Sequence, residues 1–268
     1  MSMQALYTAA TGMSSMETKI DVIANNLANV NTTAFKRDRV NFEDLYYRQQ
    51  VLPGNQNNLG NYTSTGIEIG LGSRVQSTQT EYRQGNFVTT GNQLDIAIEG
   101  RGFLQVIDPA TGQFQYTRAG NLSVNANGAL TIGSASNGRL IEPQITIPND
   151  ATNIVISPDG IVQVQQAGNT QLQQVGQFQM ANFVNPQGLI KLGENLYGDT
   201  VSSGPPQQGN PGLIGLGTIR QGFLEASNVE PVQELIDLIT TQRAFELNSQ
   251  AVQAGDQMLQ LVANLRRI

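Results

Sequence analysis

Residues 1–31 read MSMQALYTAATGMSSMETKIDVIANNLANVN, and the placing of their apolar side chains decides how the rest of the chain is read. Leu6, Met13, Met16, Ile20, Ile23, Leu27 and Val30 recur at spacings of 7, 3, 4, 3, 4 and 3. That rhythm puts them on one stripe of an α-helix, at the a and d positions of a heptad seam. No proline interrupts it, the first being Pro53. The pattern ends at Asn29, Val30, Asn31, Thr32 and Thr33, where short polar and β-branched side chains favour leaving the helix.

The other end mirrors the first. Ala244, Leu247, Ala251, Ala254, Met258, Leu261 and Leu265 alternate by 3 and 4. Upstream, Leu235, Ile236, Leu238 and Ile239 widen the apolar face, as contact with more than one neighbour would require. Ser227, Asn228 and Glu230 are start signals, and Pro231 suits a first helical turn. Arg266 and Arg267 stand where the negative helix end favours them. Several seam residues are only Ala or Met, so the burial available to one pair of helices falls short of the cost of ordering them. Both termini are therefore expected to be largely disordered in an isolated monomer and to fold when neighbouring copies cover the remaining faces. Gly12 and Gly255 weaken the helices that contain them, and either tolerated drift or a close neighbour accounts for them equally well.

Between the ends the sequence changes character. LDIAI (94–98), FLQVI (103–107), QFQY (113–116), Ile154–Ile156, IVQVQ (161–165) and QFQMANFV (177–184) are short and rich in β-branched or aromatic residues. DPATG (108–112), NANG (125–128), SPDG (157–160) and NPQG (185–188) punctuate them as turns. Two stretches, 49–66 and 202–217, read as irregular arms flanking the β region. The fold class expected is α+β: N- and C-terminal helices paired as a coiled coil, a central antiparallel β-rich domain, and extended connecting segments. The boundaries expected are 1–35 with 228–268 for the coiled coil, 36–75 with 215–227 for the connection, and 76–214 for the β-rich domain.

Composition narrows the function. Only 13% of the 268 residues are charged, about half the usual share, while 30 Gln and 25 Asn fill the gap. Such a surface can crowd against copies of itself without strong like-charge repulsion. A net charge of −6 argues against nucleic-acid binding, and the one dense basic run, Lys36, Arg37 and Arg39, is too small for a groove. Cysteine and histidine are absent, which removes disulfides, thiolate metal sites, the commonest general base and any Ser-His-Asp or Cys-His nucleophile. Asp95 and Glu99 could be imagined as a carboxylate pair for glycoside cleavage. Four apart on a strand, however, they share a surface face, with Ile96 and Ile98 on the other. EGRGF (99–103) lacks the Lys-Ser/Thr of a phosphate loop. No enzyme, cofactor or metal is expected. The first residues have no basic stretch followed by an apolar core, so a cleaved secretory signal is not expected, and no apolar run suits a membrane span.

Three segments go beyond periodicity: ANNLANVNTTAFKRDR (24–39), GNQLDIAIEGRGFLQV (91–106) with YTRAGNLSVNANGAL (116–130), and GFLEASNVEPVQELIDLITTQRAFELNSQAVQAGDQMLQ (222–260). Together, and in this order, they resemble the flagellar rod and hook family of bacterial axial proteins over nearly the whole chain. The length, the run FEDLYY (42–47) and the insertion after it resemble most the distal-rod branch, with a proximal rod or hook protein as the alternative. Asn25, Asn26, Leu27, Asn29, Phe35 and Lys36 carry the N-terminal motif. Ala34 stands where many members have glycine.

The resemblance implies an inner coiled coil lining a channel, with the β domain outside, in a helical homo-oligomer that forms a rigid hollow shaft and transmits torque. It implies contacts with other rod proteins, the hook protein and surrounding basal-body rings. It also implies passage through the flagellar type III export apparatus, unfolded and without signal cleavage. Leu6, Met13, Met16, Ile20, Ile23 and Leu27 would then pack on Leu247, Met258, Leu261 and Leu265 or on neighbouring copies. Arg243 would pair with an acid of another subunit. The segment 46–66, with Tyr46, Tyr47, Pro53 and Tyr62, is the candidate for stiffening the shaft. An adhesin or tail fibre would explain the β middle but not the terminal seams.

Overall fold

The computed structural model describes residues 3–265 apart from 55, 57–61, 63, 110, 134–137, 169, 170 and 214, with the backbone alone at 262 and 265. The fold is α+β, with one long helix near each end: α1, Met3–Ala28, and α2, Pro231–Leu265. Pro231 opens α2, where its missing N–H would have had no partner anyway.

Among the described residues the chain forms twenty strands. The first four are β1 (Asp38–Asp44), β2 (Tyr47–Val51), β3 (Ile67–Gly70) and β4 (Ser73–Thr80). Then come β5 (Phe87–Thr89), β6 (Ile96–Glu99), β7 (Phe103–Ile107), β8 (Phe114–Thr117), β9 (Leu122–Val124) and β10 (Leu130–Ile132). Next are β11 (Arg139–Glu142), β12 (Ala151–Ile156), β13 (Ile161–Gln166), β14 (Leu172–Gln177) and β15 (Met180–Asn182). Last are β16 (Ile190–Gly193), β17 (Leu196–Gly198), β18 (Gln207–Gly209), β19 (Thr218–Gln221) and β20 (Phe223–Glu225). The described pairings are all antiparallel.

The chain builds two compact units. The first comprises Met1–Ala28, Asp38–Thr80 and Glu230–Ile268; the second comprises Asn29–Arg37 and Glu81–Val229.

In the first unit α1 packs against α2 and against β1 and β4. The two helices run antiparallel: Asn26 meets Glu234, Gly12 lies beside Asn248, and Leu6 lies beside Gly255. Both helical glycines thus sit at close approaches, since a Cβ at Gly255 would overlap the Leu6 side chain. The loop before β4 comes as close: Gly72 has φ +119°, and a Cβ there would overlap Thr11 of α1. Strands β1 and β4 carry no strand signal in the sequence, because DRVNFED and SRVQSTQT lack the apolar alternation that marks a half-buried strand.

The second unit is built on a nine-stranded sheet in the order β16-β17-β8-β7-β11-β10-β9, with β15 joined to β7 and β18 to β15. One edge of β7 serves two partners, β15 at Phe103 and Leu104 and β11 from Gln105 to Ile107. A three-stranded sheet, β12-β13-β14, stands apart from it. Its Val162, Val164 and Ile156 join the main apolar core, which also holds Ile96, Ile98, Leu104, Val106, Ile141 and Phe178. A second core is aromatic: Phe103, Tyr116, Phe183 and Tyr197, with Tyr82 against them.

Two sequence expectations need correction here. QFQMANFV is not one strand, because fully buried Phe178 separates β14 from β15 where the chain moves from the small sheet to the large one. Asp95 and Glu99 do not line a common surface face. Asp95 is buried ahead of β6 and accepts a hydrogen bond from Asn92 Nδ2 (3.2 Å), while Ala97 between them is as buried as Ile96 and Ile98.

Candidate functional site

The seam on α1 is partly covered within the chain: Ile23 is buried, and Leu6, Met13, Met16, Ile20 and Leu27 are half-buried. What α2 turns towards α1 is a line of small or polar residues, Glu234, Thr241, Asn248 and Gly255, each seven residues from the last. Leu247 and Leu261 lie one place earlier in that repeat, about 100° round the helix, and are 65% and 64% exposed. Met258, Leu235, Ile236 and Ile239 are exposed as well. Arg243 is exposed in a groove shared with Ile239, Gln242, Glu246, Leu247 and Gln250. Leu265 closes α2, but its side chain, like Arg266 and Arg267, lies outside the described residues. The heptad pattern of α2 thus marks a stripe that one copy leaves open, while the stripe facing α1 is too polar to be noticed.

The N-terminal motif is divided in its duties. Asn26 is buried; its Nδ2 donates to Asp38 O (2.9 Å) and its Oδ1 accepts from Asp38 N (3.0 Å). Asn25 is exposed. Asn29 Oδ1 accepts from the Thr32 hydroxyl (3.0 Å), so it shapes the turn after α1. Ala34 is buried with φ +57°, and its N–H donates to Glu225 O (2.8 Å). The left-handed conformation costs a residue with a Cβ about 1–2 kcal/mol, which is why glycine would suit this position. Phe35 lies under the Lys191 ammonium, 5.1 Å from ring centroid to nitrogen.

Lys36 is no part of a surface basic patch. It is 0% exposed and sits in a buried ion cluster with Glu225 at 1% and Arg118 at 4%. Lys36 Nζ donates to Glu225 Oε1 (2.6 Å) and to Arg83 O (2.9 Å). Arg118 Nε donates to Glu225 Oε2 (3.0 Å), and its terminal nitrogens donate to the carbonyls of Gly102 (2.9 Å), Gly100 (3.0 Å) and Ile98 (3.4 Å). Gly85 N–H completes the acid's shell at 3.1 Å. One carboxylate therefore serves two cations, and each comes from a different one of the three motif segments. No sequence signal joined them, because Lys36 and Glu225 stand 189 residues apart.

Burial, opposed by Glu225 and assisted by Arg118, brings the Lys36 ammonium down to about 8. For Glu225 burial alone would raise the carboxyl, but Arg118, then Lys36 and the Gly85 amide outweigh it and hold it below its ordinary 4.5. The unfolded chain thus takes up this proton at higher pH than the folded chain does. The stability Glu225 contributes is complete above pH 4.5 and is lost as pH falls through its lower folded value. Urea midpoints followed from about pH 6 down to about pH 3 should decline, and Glu225→Gln should flatten that decline.

The cluster is structural in character. A pocket of about 370 Å³ near it is lined by Tyr82, Phe103, Arg118, Asn182, Phe183 and Pro186 among others. Its buried cation already donates to four acceptors, and the other titratable side chains lining it are Tyr82 and Arg101. Among the described residues no group of acidic side chains could hold a metal ion. No helix there is long and apolar enough to cross a membrane.

The tyrosine-bearing segment lies in the first unit, where β2 and β3 form a two-stranded hairpin. Every residue of β2 is exposed, Tyr46 is 89% exposed, and Tyr62 and Pro53 are exposed as well. A lone hairpin of this kind, with Ile67 and Ile69 also open, has too little burial to be stable unaided.

Three family descriptions match this chain. They are "Flagella basal body rod protein" over residues 6–36, "Flagellar hook protein FlgE/F/G D1 domain" over 97–164, and "Flagellar basal body rod FlgEFG protein C-terminal" over 220–265. The flagellar basal-body rod protein FlgG of Caulobacter vibrioides is 44% identical over 98% of this chain and 100% of its own length. That of Borreliella burgdorferi is 39% identical over 99% of each, and that of Bacillus subtilis 38% identical over 99% of this chain and all of its own. Similarity of this extent, end to end, leaves no segment unaccounted for, and the chain belongs to the FlgG family of flagellar basal-body rod proteins.

Proposed function

We propose that the chain is a structural subunit of the distal rod of the flagellar basal body. Many copies associate head to tail in a helical array that does not close on itself. One observation carries this reading: a single copy leaves the apolar stripe of α2 uncovered, with Leu247 and Leu261 about two-thirds exposed. Coiled-coil packing of α1 and α2, completed by neighbouring copies, would cover it. In that arrangement residues 1–35 with 228–268 line a channel, 36–75 with 215–227 connect, and 76–214 lie outside. The rod so formed would meet other rod proteins, the hook protein and the basal-body rings, after passage through the type III export apparatus. Purified protein brought to high concentration should form tubes of helical symmetry, and basal bodies from a deletion strain should end below the hook. Compact monomers at every concentration would overturn the reading.

The exposed hairpin and the tyrosines beyond it support a second element of the proposal, that residues 46–66 lie across adjacent subunits and stiffen the shaft. Deleting 46–66 should leave tubes that form but bend more, as measured by persistence length in electron micrographs. Tubes as straight as the parent's would refute the stiffening role.

A further inference from the structure

α1 carries a second stripe that its own chain leaves uncovered. Ala10, Ser14, Glu17, Asp21, Ala24 and Ala28 follow one another by 4, 3, 4, 3 and 4, and all are exposed. This is a different face from the buried one, which holds Ser15, Ile23 and Asn26. Its apolar members are all alanines, and at its centre stand two carboxylates one turn apart. Neither Glu17 nor Asp21 has a partner among the described residues.

The exposed face of α2 has the opposite make-up. Val232, Ile236, Ile239, Arg243, Glu246 and Gln250 recur by the same 4, 3, 4, 3 and 4, and all are exposed. Here the side chains are large, and the one cation, Arg243, also lacks a partner among the described residues.

The two stripes match in register as well as in charge. Within the chain the helices run antiparallel, with Gly12 beside Asn248. A second copy standing alongside in the same orientation presents its α1 antiparallel to this α2. Arg243 stands five residues before Asn248, and Glu17 stands five after Gly12. At equal heights the guanidinium is therefore level with the Glu17 carboxylate and about one turn, roughly 5.4 Å, from Asp21. In the same register Val232 and Ile236 fall on Ala28 and Ala24, large against small, which lets two helices approach closely. Glu246 falls on Ser14, so no acid opposes an acid.

We infer that the open stripe of α2 docks on the exposed stripe of α1 of a second copy, with Arg243 held by the second copy's Glu17 and Asp21. The contact is heterologous, so each added copy leaves the same two stripes open for the next. The inference rests on the reading of the chain as a self-assembling subunit and names the surface that covers α2.

Charge exchange in the full chain tests it, with tubes counted by sedimentation and electron microscopy across a concentration series. Arg243→Glu should raise the concentration at which tubes appear about tenfold or more, because it sets acid against acid. Glu17→Arg with Asp21→Arg should do the same. All three substitutions in one chain should return assembly to within about threefold of the parent, since the opposed charges are again unlike. Tubes of Arg243→Glu at the parent's concentration would overturn this pairing and leave the rod reading standing. So would a combined variant that assembles no better than Arg243→Glu alone. A parent chain that stays monomeric at every concentration would overturn both.

Discussion

Glu225→Gln should destabilise the second unit by about 3–5 kcal/mol, whereas Lys36→Met should cost less than half as much. The asymmetry follows from the count of charges. Removing the carboxylate leaves the Lys36 ammonium and the Arg118 guanidinium close together, both almost wholly buried and neither neutralised. Removing the ammonium leaves Glu225 with Arg118 at 3.0 Å and with Gly85 N–H at 3.1 Å, so the remaining pair is still satisfied. It also relieves the desolvation that already pulls Lys36 down to about 8. Arg83 O, deprived of Lys36, keeps its hydrogen bond from Asn228. The near-ultraviolet circular dichroism of Tyr82, Tyr116 and Tyr197 reports this unit, since the three belong to or pack on its aromatic core. Urea unfolding followed by that signal should give the order parent, Lys36→Met, Glu225→Gln. Equal losses would mean that the two cations do not share the acid.

Leu247→Lys with Leu261→Lys should suppress tube formation at the concentrations where the parent assembles, while changing the monomer's stability little. Both leucines are largely exposed, so their replacement in a single copy should change its unfolding free energy by no more than about 0.5 kcal/mol each. In an assembly each would be buried against a neighbour, contributing about 1.5–3 kcal/mol, and a lysine there would forfeit that and bury a charge. With about 1.4 kcal/mol per factor of ten, the pair should raise the concentration needed for assembly at least a hundredfold. Sedimentation across a concentration series, beside a urea titration of the same samples, separates the two effects. If tubes form at the parent's concentration, the open stripe of α2 is not the assembly surface.

Much of the architecture could be read in advance because it rests on local rules. α1 ends at Ala28, next to the asparagine cluster that was expected to stop it, and α2 starts at Pro231. FLQVI is β7, residue for residue, because all but one of its residues are buried and Phe103, Leu104 and Val106 enter the apolar cores. The polar parts were less legible. β1 and β4 pair through hydrogen bonds and ions such as Arg74 with Glu43, which leave no periodic apolar signal. The face of α2 that meets α1 is marked by Glu234, Thr241, Asn248 and Gly255, residues a hydrophobic pattern passes over. In the sequence Lys36 reads as part of a motif and as one of a short basic run with Arg37 and Arg39. Its burial depends on Arg118 and Glu225, and no sequence spacing brings those three together.

The first unit draws on the chain's opening, a stretch near its start and its final helix. Roughly 200 residues must be polymerised after α1 before the helix it packs against exists, on the order of 10–40 s at ribosomal speeds. During that interval α1 can meet β1 and β4, but the face that packs on α2 has no partner within the described residues. The helix pairing of this unit therefore waits for α2, and any holding factor that guards α1 must do so until α2 is made.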